Sequence, residues 1–360
     1  MMGSGRLDKI TTTCVWVYLA AVVGVWMLLR IGGDRWWLTT VMLFGPRWPY
    51  GVPWLFLTAT ALYVRPRLMW PLVAAGVVIV WPIMGFCVPW IRWLARDQAG
   101  LRILTCNVDG ENLDVYRFGA LVDLAKPDIV AIQECASEMP LVWPKGWNVF
   151  RGGQCVIASP YTLSCEEGTY NRHPASRWPA KDAIRCRVAT PRGEVAFCCV
   201  HLHTPREGLS EVLDRRTIVS PERSGELTAE TSNRKLESRD VSQWLRDWPG
   251  RRIVAGDFNM PVDSAIFRGS WSDYADAFST AGFGLGYTKW TPIGGCSYGV
   301  RIDHILTNDS MAVQRCWVGP DVGSDHLPLL ADVRFVETAE DSGCADRQLR
   351  DGSSAMLGLR

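Results

Sequence analysis

Acidic residues are nearly missing from the first hundred positions. Between residues 1 and 99 only Asp8, Asp34 and Asp97 are acidic, against nine Lys and Arg, for a net charge of +6. Histidine is missing there altogether, since all five lie beyond residue 100. No carboxylate falls within the long apolar runs, which excludes an ion path lined by them. The twelve cysteines lack zinc-site spacing, which excludes a structural zinc module. Residues 100–360 lack a basic excess, with 29 Lys and Arg against 34 Asp and Glu, so nothing in the bulk charge favours a nucleic-acid groove. Hydrophobic residues at 48% and charged residues at 21% exclude a disordered chain. The length of 360 residues allows roughly two domains of about 150 each.

What the N-terminal region has instead is apolar length. Ile10–Leu29 and Leu68–Ile91 are uncharged runs of 20 and 24 residues, and a helix needs about 20 to cross a bilayer. Trp48–Val64 is a shorter uncharged run of 17 that reads as a further span. Trp36–Pro46 is too short to cross and belongs at the interface. Tryptophans 36, 37, 48, 54, 70, 90 and 93 sit near the run ends, as an aromatic belt does. Residues 1–99 are therefore expected to be a membrane anchor of about three transmembrane helices (10–29, 48–64, 68–91). With an inside N-terminus, Arg6, Lys9, Arg65 and Arg67 are cytoplasmic and the remainder of the chain lies outside. The reverse places Arg30, Arg35, Arg47, Arg92, Arg96 and Arg102 inside, and the bare count leans that way. Arg65 and Arg67 flank a turn that fits only a membrane-edge loop, and the expectation adopted is a C-terminal domain outside the cytoplasm.

From Leu101 the texture changes to short β-prone runs separated by helical segments. Strands are expected at Leu101–Asn107, Asp128–Gln133, Glu194–Leu202, Arg252–Ala255, Arg301–Leu306 and Leu327–Phe335, with helices at Tyr116–Ala125 and Arg234–Trp248. Cys198 and Cys199 are adjacent on one strand and should point to opposite faces. Nearly every strand delivers a polar group at its end: Asn107, Glu134, His201, Asp257, Asn259, Asp303, Asp325 and His326. Asp and Asn are ordinary strand terminators, but so many metal-ligand and acid–base types imply one shared rim. Hard oxygen ligands without a Cys/His cluster suit Mg²⁺ or Mn²⁺, and magnesium binds through a few carboxylates plus substrate phosphate.

Six motifs stand in order over residues 101–335: Asn107-Val-Asp109-Gly110, Gln133-Glu134, His201-Leu202, Gly256-Asp257-Phe258-Asn259, Arg301-Ile302-Asp303-His304 and Ser324-Asp325-His326. The series resembles the endonuclease/exonuclease/phosphatase (DNase I-like) superfamily. With the apolar region before it, the chain is also similar to a membrane-anchored bacterial subgroup that includes teicoplanin-resistance proteins. The resemblance implies a four-layer α/β sandwich of two packed sheets flanked by helices, occupying residues 100–336 after the helical membrane region. It implies Glu134 as the main metal ligand with Asn107 beside it, Asp109 joining and Asp325 reaching the metal. Asp257 would position or deprotonate the attacking water, and Asn259 would orient the phosphate or that water. His326 would contact the scissile phosphate, with Asp303 fixing its tautomer, and His201 matches the second histidine. The implied activity is divalent-metal-dependent phosphoester hydrolysis.

Other residues carry less. His203 and His304 are expected to be structural, facing away from the rim, and His173 receives no role. Arg206 and Arg234 can grip phosphate, although solvated surface arginine is the commoner case. The polar stretch Pro205–Asn233 is a loop or insertion, and the tail from 337 to 360 is expected to be disordered. A net-negative domain on a tether of about ten residues favours a lipid or lipid-linked phosphoester as substrate and the lipid bilayer as partner. Nucleic acid, with a tethered nuclease, is the disfavoured alternative, and a non-catalytic binding or resistance protein the remote one.

Overall fold

The computed structural model describes residues 2–90, 100–110, 112–165, 183–206, 209, 224–293 and 295–336. His173, the centre of the polar stretch 205–233 and the tail from 337 lie outside the described residues.

Helix α1 (Met2–Met27) continues through a π-helical turn, Leu28–Gly32. The short α2 (Trp37–Phe44) follows, then α3 (Val52–Val64) and α4 (Met69–Val78), the last extended by the π-helical turn Ile79–Ile83. Helices α1, α3 and α4 close on a small core of Val15, Ala61, Leu68 and Leu72. The Trp54 indole N–H donates to the Leu72 carbonyl at 2.7 Å, and the Tyr18 hydroxyl donates to the Tyr50 carbonyl at 2.6 Å. These bonds satisfy the polar ends of otherwise apolar rings. The outer surface of this bundle stays apolar: Trp16, Val17, Leu55, Phe56, Tyr63 and Trp70 are all more than half exposed. Two helices, Arg6–Arg35 and Pro66–Ile83, are long and apolar enough to cross a membrane. In the expected run 68–91 the continuous helix ends at Ile83, and Ile91 lies outside the described residues. Pro82 cannot donate to the helix ladder, Gly85 turns at φ +74°, and Cys87 then pairs with Gly284.

The rest is two six-stranded sheets face to face. The first has the order β13-β14-β1-β2-β4-β3 and the second β5-β6-β7-β8-β12-β9. In the first sheet β1 is Leu101–Asn107, β2 Ile129–Gln133, β3 Asn148–Gly152, β4 Cys155–Ser159, β13 Met311–Val318 and β14 Leu329–Phe335. In the second β5 is Thr162–Cys165, β6 Ala183–Thr190, β7 Gly193–His201, β8 Arg252–Asp257, β9 Ala275–Asp276 and β12 Asp303–Thr307. A separate hairpin joins β10 (Lys289–Ile293) to β11 (Cys296–Val300). Alternation sorts the side chains: Leu101 and Ile103 enter the core between the sheets, while Leu104 and Cys106 face α5 (Val115–Ala125) on the outside. Cys199 and Cys198 divide in the same way between the inter-sheet core and the outer layer. Cys165 and Cys186, a cross-strand pair of β5 and β6, form a disulfide.

Helices α6 (Ser224–Arg246), α7 (Ala265–Ser270) and α8 (Ala277–Ala281) complete the domain. The outer face of the second sheet packs against α6, α7 and the near end of the N-terminal bundle in one continuous core, with Leu43, Phe44 and Ile83 beside Phe258, Met260 and Phe267. Ion pairs fasten this junction. Arg47 meets Asp263 at 2.6 Å and also donates to the Ile83 carbonyl at 2.7 Å. Asp34 is buried, accepts from the Ser264 hydroxyl and pairs with Arg234 at 3.4 Å. Arg234 therefore neither grips phosphate nor sits on a solvated surface: it is fully buried. Its partner lies 200 positions away, beyond the reach of any local pattern. Arg206 is exposed.

Candidate active site

Strand register gathers the polar ends. The central pairs β1·β2 and β7·β8 are parallel, so their C-terminal ends share one edge of the sandwich. Asn107 lies opposite Gln133 and His201 opposite Asp257. The antiparallel β12 starts at that same edge, with Asp303 opposite Asp257. Gly256 permits the packing, since a Cβ there would stand 2.0 Å from the Val200 carbonyl oxygen. Asp109, Glu134 and Asn259 adopt left-handed φ values of 49°, 55° and 51° immediately past their strands. Strained backbone of this kind recurs at functional sites.

The side chains interlock. The Asn107 amide N–H₂ donates to Glu134 Oε1 at 3.1 Å and to Asp257 Oδ2 at 3.0 Å. Its Oδ1 accepts from the Asp109 N–H at 3.0 Å, so Asn107 ties two carboxylates together and presents them no oxygen. Asn259 donates to Asp257 through its backbone N–H at 2.8 Å and its amide at 3.1 Å. His201 Nε2 stands 3.1 Å from Glu134 Oε1 and 3.8 Å from Asp257 Oδ2. His326 Nδ1 is 2.9 Å from Asp303 Oδ2, and its Nε2 is 3.9 Å from Asp257 Oδ2. Glu134 is the open member at 28% exposure, whereas Asp257 and Asp303 are buried.

Electrostatics differentiates these acids. Burial and the charge of Asp303 push Asp257 up, against the opposing pull of His326 and His201. Burial also acts to raise Asp303, but the His326 charge and hydrogen bond outweigh it and hold Asp303 down. Burial alone would depress His326; Asp303 and Asp257 instead carry it up to about 9. At neutral pH the His326 ring is thus protonated, with Nδ1 donating to Asp303 and Nε2 left to donate towards a ligand.

Two groups bring ligand atoms within 4.8 Å of one another: Glu134 with His201 and Asp257, and Asp257 with Asp303 and His326. In the second group Asp303 is committed to His326, so its chemistry is that of an acid–base pair. The first group, with carboxylate oxygens held apart by Asn107 and one of them solvent-facing, fits a hard divalent cation. Asp109 and Asp325 stand outside both groups. The Asp109 carboxylate accepts from Asn112, and Asp325 is paired with Lys289.

The model of the Endonuclease/Exonuclease/phosphatase family matches residues 104–326. The chain belongs to this family. Solved structures resembling it include the 3'-5' exonuclease NExo from Neisseria meningitidis, at 21% identity and TM-score 0.49, covering 65% of this chain and 100% of that one. A family protein from Bacteroides thetaiotaomicron aligns at 16% identity and TM-score 0.48, over 68% of this chain and 98% of its own. D. rerio TDP2 complexed with a single-strand DNA product aligns at 16% identity and TM-score 0.47, over 66% and 100%. No curated protein matches. Endonuclease/exonuclease/phosphatase proteins are hydrolases of phosphoester bonds, and Glu134, His201, Asp257, Asp303 and His326 all lie within the matched residues.

Three contributors receive no role from the sequence alone, Ser324 within the Ser324-Asp325-His326 motif and Thr288 and Lys289 outside any motif. Ser324 accepts from the His326 N–H and donates to the Asn107 carbonyl, Thr288 accepts from the N–H groups of Ile302 and Asp303, and Lys289 neutralises Asp325. Of these, the motif Ser324-Asp325-His326 marks Ser324 in advance, and nothing marks Thr288 or Lys289. His304 is structural, as expected: it is buried, with Nδ1 2.9 Å from Asp276 and Nε2 3.0 Å from the Met260 carbonyl. Burial acts to raise Asp276, yet the His304 charge, its hydrogen bond and Arg301 hold that carboxyl well below the usual range. A depressed folded pKa stabilises above the unfolded value, near about 4, and the gain is lost as pH falls through the folded value. Replacing His304 by Ala is expected to cost about 2 kcal/mol at pH 7. The deficit should shrink below about pH 4, as denaturant melts at several pH values would show.

Proposed function

We propose that this chain is a membrane-anchored, Mg²⁺- or Mn²⁺-dependent phosphoesterase whose substrate is a lipid or lipid-linked phosphoester. The observation that carries the chemistry is the Glu134–Asn107–Asp257 set beside the His326–Asp303 pair. Glu134 and His201 hold the cation side of the rim, and Asn107 keeps the two carboxylates at a fixed spacing. A divalent cation bound there would neutralise charge on the phosphate. Asp257, its pKa raised by burial, accepts the proton of the attacking water, and Asn259 fixes the rotamer of that carboxylate. His326 donates from Nε2 to a phosphoryl oxygen while Asp303 secures its tautomer.

What supports the lipid reading is the junction. The division into an anchor (1–99) and a catalytic domain (100–336) joins parts clamped by Arg47–Asp263 and Asp34–Arg234, so the sandwich has a fixed pose on a bundle with a lipid-like exterior. An inside N-terminus puts the Asp8–Arg65 pair, with Arg6, Lys9 and Arg67, on the cytoplasmic side, at the end of the bundle away from the sandwich. The bare arginine count leans the other way, but Arg47 is spent on Asp263, and a Cys165–Cys186 disulfide persists outside the cytoplasm, which favours that side for the sandwich. An alkaline phosphatase fused to the C-terminus is expected to be active; an inactive, cytoplasmic fusion would reverse the orientation.

The catalytic reading is tested with the detergent-purified full-length chain and a chromogenic phosphodiester and phosphomonoester. Turnover should require added Mg²⁺ or Mn²⁺ and vanish in EDTA. Glu134→Gln should raise the metal concentration for half-maximal rate by at least about tenfold. Turnover that persists in EDTA would defeat the metal role.

A further inference from the structure

The junction between bundle and sandwich encloses a second cleft, of about 450 Å³, that hydrolysis does not use. It lies between the segment Asp34–Thr40 and α6, beside α7, and is lined by Arg35, Trp37, Thr40, Thr231, Lys235 and Ile266 among others. Its exposed charge is basic, from Arg35 and Lys235, while the buried acids beside it, Asp34 and Glu230, act on the buried Arg234. Asp34 is taken up by Arg234, Ser264 and the Ile266 N–H, and Asp263 is taken up by Arg47. Arg268 reaches across to the Arg30 carbonyl, which draws Arg30 and Arg268 to the same junction as Arg35 and Lys235. Among the described residues none of these four cations has a carboxylate partner within ion-pair distance. Burial first, and then the charge of Arg30, push the Arg268 guanidinium down, while Asp263 and Asp34 oppose and Arg35 adds to the shift. Thr231 Oγ1 accepts from Arg234, which leaves its own hydrogen to donate.

The position of the cleft is as telling as its charge. Leu28, Ile31, Trp36 and Trp37 are exposed on the chain leading into it. The apolar exterior of the bundle ends at this lip and the polar domain begins, the level at which indole rings and phosphate headgroups meet.

We propose that the cleft binds the phosphate of an anionic phospholipid, as a headgroup site separate from the active site. Arg35 and Lys235 contact the anion, Thr231 donates to it, and Trp36 and Trp37 lie against the adjoining acyl and glycerol region. The shared chemistry is a phosphate anion, and the exposed apolar lip selects a lipid as its source over free phosphate. The proposal rests on the reading that the bundle spans a bilayer and is independent of the catalytic reading.

The test uses the full-length protein in neutral detergent with EDTA, so that turnover does not consume the probe. Short-chain phosphatidylglycerol is expected to raise Tm by about 3 °C at saturation, and added salt should weaken the effect. Short-chain phosphatidylcholine should give no shift. The double variant Arg35→Gln/Lys235→Gln should weaken phosphatidylglycerol binding at least about tenfold, and its exposed side chains leave the fold intact. Asp257→Asn should bind as the wild type does. An equal shift with phosphatidylcholine, or unchanged binding by the double variant, would overturn the site. Inorganic phosphate matching phosphatidylglycerol at equal concentration would overturn the lipid source. Wild type stripped from membranes by alkaline carbonate would overturn the anchoring on which that source depends, a failure distinct from loss of the anion site.

Discussion

Asp257→Asn is expected to lower kcat by about 10³-fold while leaving the fold intact. Asp257 is the one carboxylate common to both ligand groups, and it receives Asn107, the Asn259 backbone and the Asn259 amide at once. Burial and Asp303 disfavour its charge, so removing that charge relieves an existing cost. The asparagine NH₂ meanwhile faces donors where an acceptor stood. The two effects oppose each other, and Tm is expected to stay within about 4 °C of wild type. Rate and Tm measured on the same preparation separate a chemical role from a scaffolding one. A large fall in Tm with kcat per folded molecule unchanged would make Asp257 structural.

Arg234→Ala is expected to destabilise the protein by about 3–5 kcal/mol, because it strands the Asp34 carboxylate in a dry junction. Loss of the partner charge dominates over loss of the 3.4 Å contact itself. A double change, Arg234→Met with Asp34→Leu, should recover much of the deficit by replacing the pair with apolar volume. Arg234 also donates to the Asn259 carbonyl at 3.4 Å, so the single variant should loosen the turn that carries Asn259 and lower kcat among the molecules that remain folded. Denaturant melts of Arg234→Met, Asp34→Leu and their double variant give the coupling energy. Additive effects would show that the junction is held by its apolar core alone.

The strands that bear the chemistry were the legible ones. Leu101–Asn107 was read with its observed bounds, and Ile129–Gln133, Arg252–Asp257 and Asp303–Thr307 within one or two residues, because buried central strands are continuous apolar runs ended by a polar group. The edges were not. Asn148–Gly152 is mostly exposed, and Lys289–Ile293 contains Pro292, so neither shows a core-facing pattern. Helix α6 starts at Ser224, ten residues before the expected Arg234, because its first turns are polar and a periodicity search passes over them. The convergence of Glu134, His201, Asp257, Asn259, Asp303 and His326 was legible because parallel register turns strand ends into a shared rim. The work of Thr288 and Ser324 was hidden, since both act by accepting backbone N–H groups that only the folded chain brings near. The Asp34–Arg234 and Arg47–Asp263 pairs were hidden for the same reason, and with them the fact that the apolar region is fastened to the sandwich.

The central claim joins a phosphoesterase rim to a membrane-facing pose, and one comparison of substrates reaches both parts. The full-length protein in mixed micelles with Mg²⁺ is offered a mixture of lipid-linked phosphates and, in parallel, abasic-site DNA, with His326→Ala as control. Hydrolysis of the lipid phosphates, lost with His326→Ala and absent for DNA, is the expected result. Cleavage of the DNA with the lipid phosphates untouched would contradict it and make the chain a tethered nuclease.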